Sequence, residues 1–477
     1  MSQIFLLRTS LAEIYRDIYN KLEPHKFGGI FAVKKKTIII RDPELIKNVL
    51  IKDFEYFHDR GTKVDQEVDP LGYHLFNMRG EEWKNLRIKL TSTFTTGKMK
   101  MMFPLVNECG KKLNTVLANL PDSEGFDIKD LAARFTTDTI GTCAFGLETN
   151  SLDNPDSEFR RMGKAIFKFR YQSLIRSVWT SIPPTLIKRL KLDFIEKKIQ
   201  DYFMEIVDET VQYREKNKIS RNDFLDLLIA LKNNTIIEKF QDTAETDDLE
   251  KFLAQVGDKR IKSNIDMSNA MLAAQCFVFF IAGFETSSTT LGFLLLELAQ
   301  NEEIQNKVRD EIRAVLENND NELTYDSMKQ MTYTDMAIAE ALRKYPPAGI
   351  LMREANKNYK IPNTKIIIPA NTAIIIPVFG IHRDAKYYDN PEEFRPERFT
   401  EREKAKRPHY TYLPFGEGPR VCIAERFAKM QVKIGLVYML KDFSYHLSPK
   451  MKFPLEFEKN FGLLTVRNGI WLQRTKL

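Results

Sequence analysis

Cys422 lies in a stretch of sequence that could hold a reactive or metal-binding thiol. In FGEGPRVCIAERF, two glycines, a proline and an arginine precede the cysteine and a helix-forming run follows it. Gly416 and Gly418 permit unusual backbone shapes, and nearby amide groups and a helix start favour an anionic sulfur. A thiolate is both a nucleophile and a soft metal ligand. Three interpretations follow: a structural cysteine, a nucleophile with a histidine base, or an axial ligand of haem iron.

Composition limits the class of protein. The 477 residues are 43% hydrophobic and 29% charged, as in ordinary soluble globular proteins. The net charge of +7 is spread along the chain, which is weak evidence for nucleic acid. The other three cysteines, Cys109, Cys143 and Cys276, are interpreted as buried filler. Four cysteines in so long a chain do not suggest a disulfide framework, which indicates a reducing compartment. The most apolar run, 276–284, is about half of what a membrane span needs.

The order of sequence patterns predicts one large domain over residues 1–477. Two short strands are expected around a basic turn in 26–43, followed by a helix over 43–52. Helical patterns dominate from about 80 to 320, and β-branched runs broken by proline and asparagine follow residue 345. A last helix is expected after Cys422, beginning near Ile423. The fold class is therefore mainly α with a smaller β-rich part, α+β.

Two further segments carry residues suited to chemistry. In WKNLR, Trp83 and Arg87 share a helix face, and both are donors suited to a carboxylate. In AGFETSS, Glu285 and Thr286 interrupt an otherwise apolar helix next to Gly283, where a threonine hydroxyl can bond backbone carbonyls. The element EALR (340–343) precedes the strand-rich region, and PERF (396–399) follows it.

These segments, in this order, resemble the cytochrome P450 family. The run from Phe415 to Cys422 matches the haem-binding loop F-x-x-G-x-R-x-C-x-G, with Ala424 at the last position. The other segments resemble the W-x-x-x-R, [A/G]-G-x-[D/E]-T, E-x-x-R and PERF elements of that family. FHDRG (57–61) and HRD (382–384) are similar to the insect microsomal, xenobiotic-metabolising branch. The resemblance covers nearly the whole chain and implies the cytochrome P450 fold.

The resemblance implies haem b as cofactor, with Cys422 as the axial thiolate ligand of its iron. It further implies that Phe415 shields the sulfur and that Glu340, Arg343 and Arg398 form an ion-pair network. The haem propionates would be bound by Arg420, Arg87, Trp83 and Arg353.

On the opposite face of the cofactor, the resemblance assigns Thr286 to hydrogen bonding with dioxygen and Glu285, with water, to proton relay. It also implies an apolar substrate. The expected pocket residues are Leu71, Phe76, Phe280, Ala282, Ile350, Leu351 and residues 461–464.

Electrons are expected from outside, because the sequence contains neither a flavin nor a nicotinamide motif. The resemblance implies NADPH–cytochrome P450 reductase as the donor, with cytochrome b5 as a second candidate. A basic docking face is expected from Lys84, Lys89, Lys98, Lys100, Lys429 and Lys433.

The resemblance also implies the cytosolic face of the endoplasmic reticulum membrane. Microsomal members usually begin with a spanning helix and a proline-rich hinge, and this sequence starts beyond both. The apolar and basic segment 177–194 is expected either to contact a membrane surface or to pack in the core.

The leading function is a monooxygenase that inserts one atom of O2 into an apolar organic substrate. A reductase-independent haem-thiolate isomerase or dehydratase acting on peroxides is an alternative, which the Glu285–Thr286 pair disfavours. A non-catalytic binder of apolar ligands is a third possibility, if the chain receives no electrons. A nucleic-acid role is disfavoured, because the basic residues form no stripe or binding motif.

Overall fold

The computed structural model describes residues 9–32, 35–121, 125–167, 195–233, 267–459 and 463–477. The α-helices are α1 Leu11–Lys21, α2 Pro43–Lys47, α3 Gly80–Thr91, α4 Thr96–Asn119, α5 Ile128–Ile140, α6 Glu158–Phe167, α7 Lys197–Asn217, α8 Phe224–Lys232, α9 Asn269–Gln300, α10 Glu302–Glu317, α11 Thr332–Lys344, α12 Val378–Ile381, α13 Glu401–Lys406 and α14 Glu425–Leu440. The strands are β1 Phe27–Ala32, β2 Lys35–Ile40, β3 Phe126–Asp127, β4 Leu351–Glu354, β5 Tyr359–Lys360, β6 Ile367–Ile368, β7 Ala373–Ile376, β8 Phe443–Leu447 and β9 Trp471–Lys476.

The long helix α9 forms the centre of the helical part. Ser268 caps its N-terminus by accepting a hydrogen bond from the amide of Met271. The helix packs against α5, α7 and α14 and is buried through most of its length. By length and composition it is the one described helix that could cross a membrane, but 67% of its most apolar window is buried inside the protein. It is therefore a core helix.

The sheets confirm the predicted strand-rich parts. β1 and β2 form an antiparallel hairpin within the predicted segment 26–43, and β2 continues into a four-stranded sheet of order β1-β2-β7-β4. The predicted helix over 43–52 consists of α2 followed by a π-helical turn, Asn48–Lys52. In the four-stranded sheet, β4 pairs antiparallel with β7, so that Arg353 lies opposite Ile374. This pairing fixes the backbone position of Arg353 within the sheet.

The predicted ion-pair network is confirmed. Arg343 on α11 donates to Glu340 through Nε and Nη2, at 2.7 and 2.9 Å. Arg398, from the 3-10 turn that contains PERF, lies 3.2 Å from the same carboxylate. All three side chains are almost fully buried. A buried ion pair is tolerated when each charge has partners, and here backbone carbonyls such as that of His382 complete the set.

The fold class is as predicted, mainly helical with a smaller sheet part. Segment 177–194, proposed to contact a membrane, and positions 461–462 of the expected pocket lie outside the described residues.

Candidate active site

The loop before Cys422 is closed by its own backbone. The amide of Cys422 donates to the carbonyl of Phe415 at 2.9 Å, and the amide of Val421 donates to the carbonyl of Gly418 at 2.9 Å. Gly416 and Gly418 have φ values of +76° and +72°, a region that glycine adopts without strain. A side chain at Gly418 would also collide with the backbone carbonyl of Leu50. The two glycines are thus required by the shape of the loop.

Ala424, which replaces the more usual glycine of the family loop, has φ −99° and ψ 21°. Alanine adopts a negative φ readily, so this departure causes no backbone strain. The predicted helix begins at Glu425, with Ala424 as its cap, rather than near Ile423.

The thiol of Cys422 differs from the other three. Cys109, Cys143 and Cys276 are buried as predicted, whereas Cys422 is accessible. Burial among protein atoms nevertheless raises the pKa of the Cys422 thiol, while the amide of Ala424 and the charge of Arg87 lower it. The predicted features that favour an anionic sulfur are therefore present, but in the protein alone desolvation outweighs them.

Trp83 and Arg87 lie on the buried face of α3, as their spacing predicts. Arg87 donates through Nη1 to the carbonyl of Val421 at 2.9 Å, directly before the cysteine. Burial lowers the pKa of Arg87 to about 10, and the sulfur of Cys422 opposes this shift. The helix thus brings a cation to the Cys422 loop.

Arg420 lies between Trp83 and the segment 75–78. Its Cζ atom is 3.8 Å from the centroid of the Trp83 ring, and its Nη2 donates to the carbonyl of Met78 at 2.9 Å. Its Nε donates to the carbonyl of His58 at 2.8 Å. Burial and the charges of nearby arginines lower the pKa of Arg420, although a guanidinium stays protonated in proteins. The arrangement is therefore electrostatically unfavourable without a further anion.

Arg60 belongs to the same cluster and was missed as a site residue from the sequence. Its Nη2 donates to the carbonyl of Arg420 at 3.2 Å. Burial, with the charges of Arg353 and Arg87, lowers its pKa, and Cys422 opposes the shift. The motif FHDRG contained this residue, but nothing local linked it to a cysteine 362 positions away in the chain.

Arg353, on strand β4, is buried. Only 3% of the residue is accessible, its Nη1 donates to the carbonyl of Met352 at 2.8 Å, and its Nε is buried without a hydrogen-bond partner. Burial lowers its pKa to about 10. A buried donor without an acceptor is costly unless a bound group completes it.

These residues fit a haem. Four guanidinium groups, those of Arg60, Arg87, Arg353 and Arg420, lie close enough to act on one another, and the charges of Arg60 and Arg87 also act on the sulfur of Cys422. A carboxylate near Arg420, that of Asp59, is 3.6 Å away and already paired with Arg79 at 3.1 Å. His74, close to Arg60, also has a buried Nδ1 without a partner, and burial lowers its pKa to about 3. A flat group with two carboxylates and a metal that accepts sulfur would satisfy this set of donors.

The predicted residues of α9 make contacts within their own helix and with neighbouring helices. Thr286 donates its hydroxyl to the carbonyl of Ala282 at 2.5 Å, and Ala282 is exposed although its neighbour Phe284 is buried. Glu285 points to the α5 side, where its Oε1 lies 2.5 Å from Nζ of Lys129. Phe280 is fully buried among aromatic rings, including Phe159 and Phe203, which favours core packing over the expected pocket role.

The lysines expected to dock a reductase are not equivalent. Lys100 and Lys429 are exposed, although each is paired with a carboxylate, Asp326 and Glu425 respectively. Lys433 is buried and lies 2.6 Å from Asp335, so its inclusion in an exposed docking face is wrong.

The fold and the cysteine site have the features expected of a haem-thiolate protein. The family model described as "Cytochrome P450" matches residues 3–473. The chain is 42% identical over 457 residues to "Probable cytochrome P450 6a13" of Drosophila melanogaster, covering 96% of this chain and 87% of that protein. It is 40% identical to "Cytochrome P450 6k1" of Blattella germanica, covering 99% and 88%, and 39% identical to "Cytochrome P450 9e2" of the same organism, covering 99% and 90%.

The chain belongs to the cytochrome P450 family. It is therefore a haem b–binding monooxygenase of the branch that contains the insect proteins above. Members of the family use O2, electrons from a redox partner and apolar organic substrates.

Proposed function

We propose that Cys422 binds the iron of haem b and that nearby arginines and Trp83 bind its propionates. The observation that carries this assignment is the accessible sulfur of Cys422 with guanidinium groups on its flanking backbone. The proposed propionate-binding residues are Arg60, Trp83, Arg87, Arg353 and Arg420. When bound, haem supplies the chemistry of O2 activation.

The side chains of the protein set the environment for that chemistry. Phe415, whose carbonyl accepts from the amide of Cys422, shields the sulfur from water once haem is bound. Ala282 and Thr286 form an accessible stripe on α9. The hydroxyl of Thr286 lies on this stripe, where it can turn from the carbonyl of Ala282 to a reacting group. Glu285 carries protons between water and that stripe.

The absorption spectrum of the reduced carbon monoxide complex tests the assignment of Cys422. We expect the red-shifted Soret band of a thiolate ligand in the wild type and its loss in Cys422→Ser. Cys109→Ser is the matched control, because Cys109 is buried away from the loop. An unchanged spectrum in Cys422→Ser would overturn the assignment of the ligand.

We further propose that NADPH–cytochrome P450 reductase, and cytochrome b5 as a second donor, dock on the face that carries Lys100 and Lys429. Charge attraction across such a face makes association fall with ionic strength. Lys429→Glu should raise the reductase concentration needed for half-maximal turnover. The control is Lys404→Glu, a lysine paired in a similar way with Glu401 on another helix. Equal effects of the two variants, or turnover insensitive to salt, would contradict docking at this face.

The proposed location is the cytosolic face of the endoplasmic reticulum membrane, with an apolar compound as substrate. The support for an apolar pocket is the exposure of Ala282 in the middle of a buried helix. Two other residues expected in the pocket, Ile350 and Leu351, are partly exposed. Sedimentation with phospholipid vesicles tests the membrane contact. Recovery of the protein only in the supernatant would contradict it.

A further inference from the structure

The carboxylate of Glu285 is held by a lysine from a neighbouring helix. Lys129 is the second residue of α5, and its Nζ lies 2.5 Å from Oε1 of Glu285 on α9. Glu285 is 7% exposed, whereas the side chain of Lys129 is partly exposed. The two helices pack closely, and Thr136 on α5 donates to the carbonyl of Phe284 at 2.9 Å. The ion pair therefore joins two elements that are fixed relative to each other.

Lys129 occupies an unfavourable position for its own helix. It lies in the first turn of α5, where the partial positive charge of the helix N-terminus disfavours a cation. The N-terminus is already capped by Asp127, which accepts from the amide of Lys129. The ion pair with Glu285 offsets this unfavourable interaction of Lys129 with its helix. We infer that the side chain of Lys129 holds the carboxylate of Glu285 and does not stabilise α5.

Other charged groups extend from Glu285 to the surface. Arg160 on α6 is 1% exposed, its charge acts on Glu285, and its Nη2 donates to Asp130 at 2.5 Å. Its Nε and Nη1 are buried donors without a partner among the described residues. Asp130 also contacts Arg134 and Lys164, whose side chains reach solvent. The described charged groups that face Glu285 are thus Lys129 from α5 and Arg160 from α6.

We propose that Lys129 is the positioning residue of Glu285, at the inner end of a proton route that enters between α5 and α6. The inference rests on the proposed function of Glu285. One proton enters from bulk water beside Lys164, passes over water held at Arg160, and reaches the carboxylate of Glu285. The carboxylate then passes one proton to water beside Thr286, and Lys129 keeps its ammonium charge throughout.

Lys129 is needed in this role because Glu285 would otherwise pair with a different cation. Glu285 is buried, and a buried carboxylate without a cation turns toward whatever charge remains. Without Lys129, the remaining described cation whose charge interacts with Glu285 is Arg160, and the carboxylate would turn toward it and away from Thr286. Arginine at position 129 would keep a cation in place, whereas methionine would keep only the apolar stem.

The test compares Lys129→Met and Lys129→Arg in wild-type and Glu285→Gln backgrounds, with reductase and NADPH. We expect Lys129→Met to lower product formed per NADPH about threefold or more, with more hydrogen peroxide and a larger solvent deuterium effect. Lys129→Arg should restore the wild-type ratio to within about 1.5-fold, and Lys129→Met should cause no further loss in Glu285→Gln. Lys111→Met, which removes an exposed lysine paired with Glu108, is the control.

The outcomes separate this inference from the proposed function. A wild type without a thiolate spectrum would overturn the function itself. If the wild type forms product and Lys129→Met leaves the ratio and the deuterium effect unchanged, or lowers the ratio equally in both backgrounds, the role of Lys129 is wrong. If the Lys129→Met variant lacks the thiolate spectrum, the experiment uses Lys129→Gln in place of Lys129→Met, and the same results are expected.

Discussion

The guanidinium of Arg420 lies over the indole of Trp83, with 3.8 Å between Cζ and the ring centroid. The contact joins the loop of Cys422 to α3 and leaves the donors of Arg420 free to bind carbonyls at their edge. Trp83 also lies 5.7 Å from the ring of Phe54. The ring is thus the support on which this arginine rests.

Trp83→Leu should therefore destabilise the haem-free protein by about 3 kcal/mol, through lost packing and a lost cation–π contact. Trp83→Phe, which keeps an aromatic face, should cost about 1 kcal/mol. Urea unfolding measures both values. Trp471→Leu is the control, because Trp471 is partly exposed and should cost less than Trp83→Leu. Equal losses at the two positions would contradict a supporting role for Trp83.

The two glycines of the Cys422 loop should differ in their response to alanine. Both have positive φ, so each substitution carries a backbone cost of about 1–2 kcal/mol. At Gly416 an added Cβ would meet only the side chain of Leu351, at 3.7 Å, whereas at Gly418 it would strike the carbonyl of Leu50. Gly418→Ala should therefore lose the thiolate spectrum, while Gly416→Ala keeps it. Loss in both variants, or in neither, would show that the contact with Leu50 does not decide the loop shape.

Substitution of Arg353 should weaken haem binding without destabilising the haem-free protein. It is buried with an unpaired Nε, so Arg353→Met should leave the haem-free protein as stable or more stable, by about 1 kcal/mol. The same change removes a propionate partner, so transfer of haem to apomyoglobin should become about tenfold faster, equivalent to about 1.4 kcal/mol.

Arg343→Met is the matched control for Arg353. Arg343 is fully buried but paired with Glu340, and its removal leaves that buried carboxylate with Arg398 alone as its cation, which should cost about 3 kcal/mol in the haem-free protein. If Arg353→Met destabilised the haem-free protein to the same extent, the interpretation of Arg353 as a cation in need of a ligand would be wrong.

Sequence patterns predicted the parts of this site that are local in the chain. The turn with Gly416 and Gly418, the shared face of Trp83 and Arg87, and the two strands in 26–43 depend on residue type and spacing over a few positions. The network of Glu340 with Arg398 is not local and was found only because the order of motifs resembles a family.

The contacts that were missed join residues distant in sequence. Arg60 reaches the carbonyl of Arg420 across 360 positions, and Lys129 reaches Glu285 across 156. Local sequence patterns, such as helical periodicity, contain no information on pairs this far apart in the chain. The raised pKa of Cys422 was missed for a related reason: burial depends on the packing of the whole chain, whereas the favourable amide of Ala424 is local.

Acid should destabilise the protein through His382. Its Nδ1 lies 3.0 Å from the carbonyl of Arg343, and its Nε2 accepts from the amide of Leu413 at 2.8 Å, so the ring is held neutral. Burial and the charge of Arg343 lower its pKa to about 3. The unfolded chain takes up a proton below about pH 6.5 and the folded chain only near 3, so stability is lost as pH falls through this window.

Urea unfolding of the haem-free protein measures this loss, which should reach about 1.4 kcal/mol per buried histidine at about pH 5.5 relative to about pH 7.5. The pKa of His74 is also lowered to about 3, by burial and Arg60, so two residues contribute. His382→Gln should remove about half of their joint contribution, whereas the exposed control His409→Gln should leave it unchanged. A pH dependence that is the same in His382→Gln as in the wild type would contradict the neutral, buried ring.

Thr286 should affect the use of electrons more than stability. Its hydroxyl bonds the carbonyl of Ala282, and one turn further Thr290 bonds the carbonyl of Thr286 in the same way, at 2.9 Å. Both bonds are local to α9, so either change to alanine should alter stability by less than about 1 kcal/mol. Thr286 is partly exposed while Thr290 is buried, and only Thr286→Ala should therefore lower product per NADPH. Thr286→Ser, which keeps the hydroxyl, should retain most of the product yield. An equal fall in Thr290→Ala would assign the effect to the shape of the helix, and an unchanged yield in Thr286→Ala would remove this hydroxyl from the reaction.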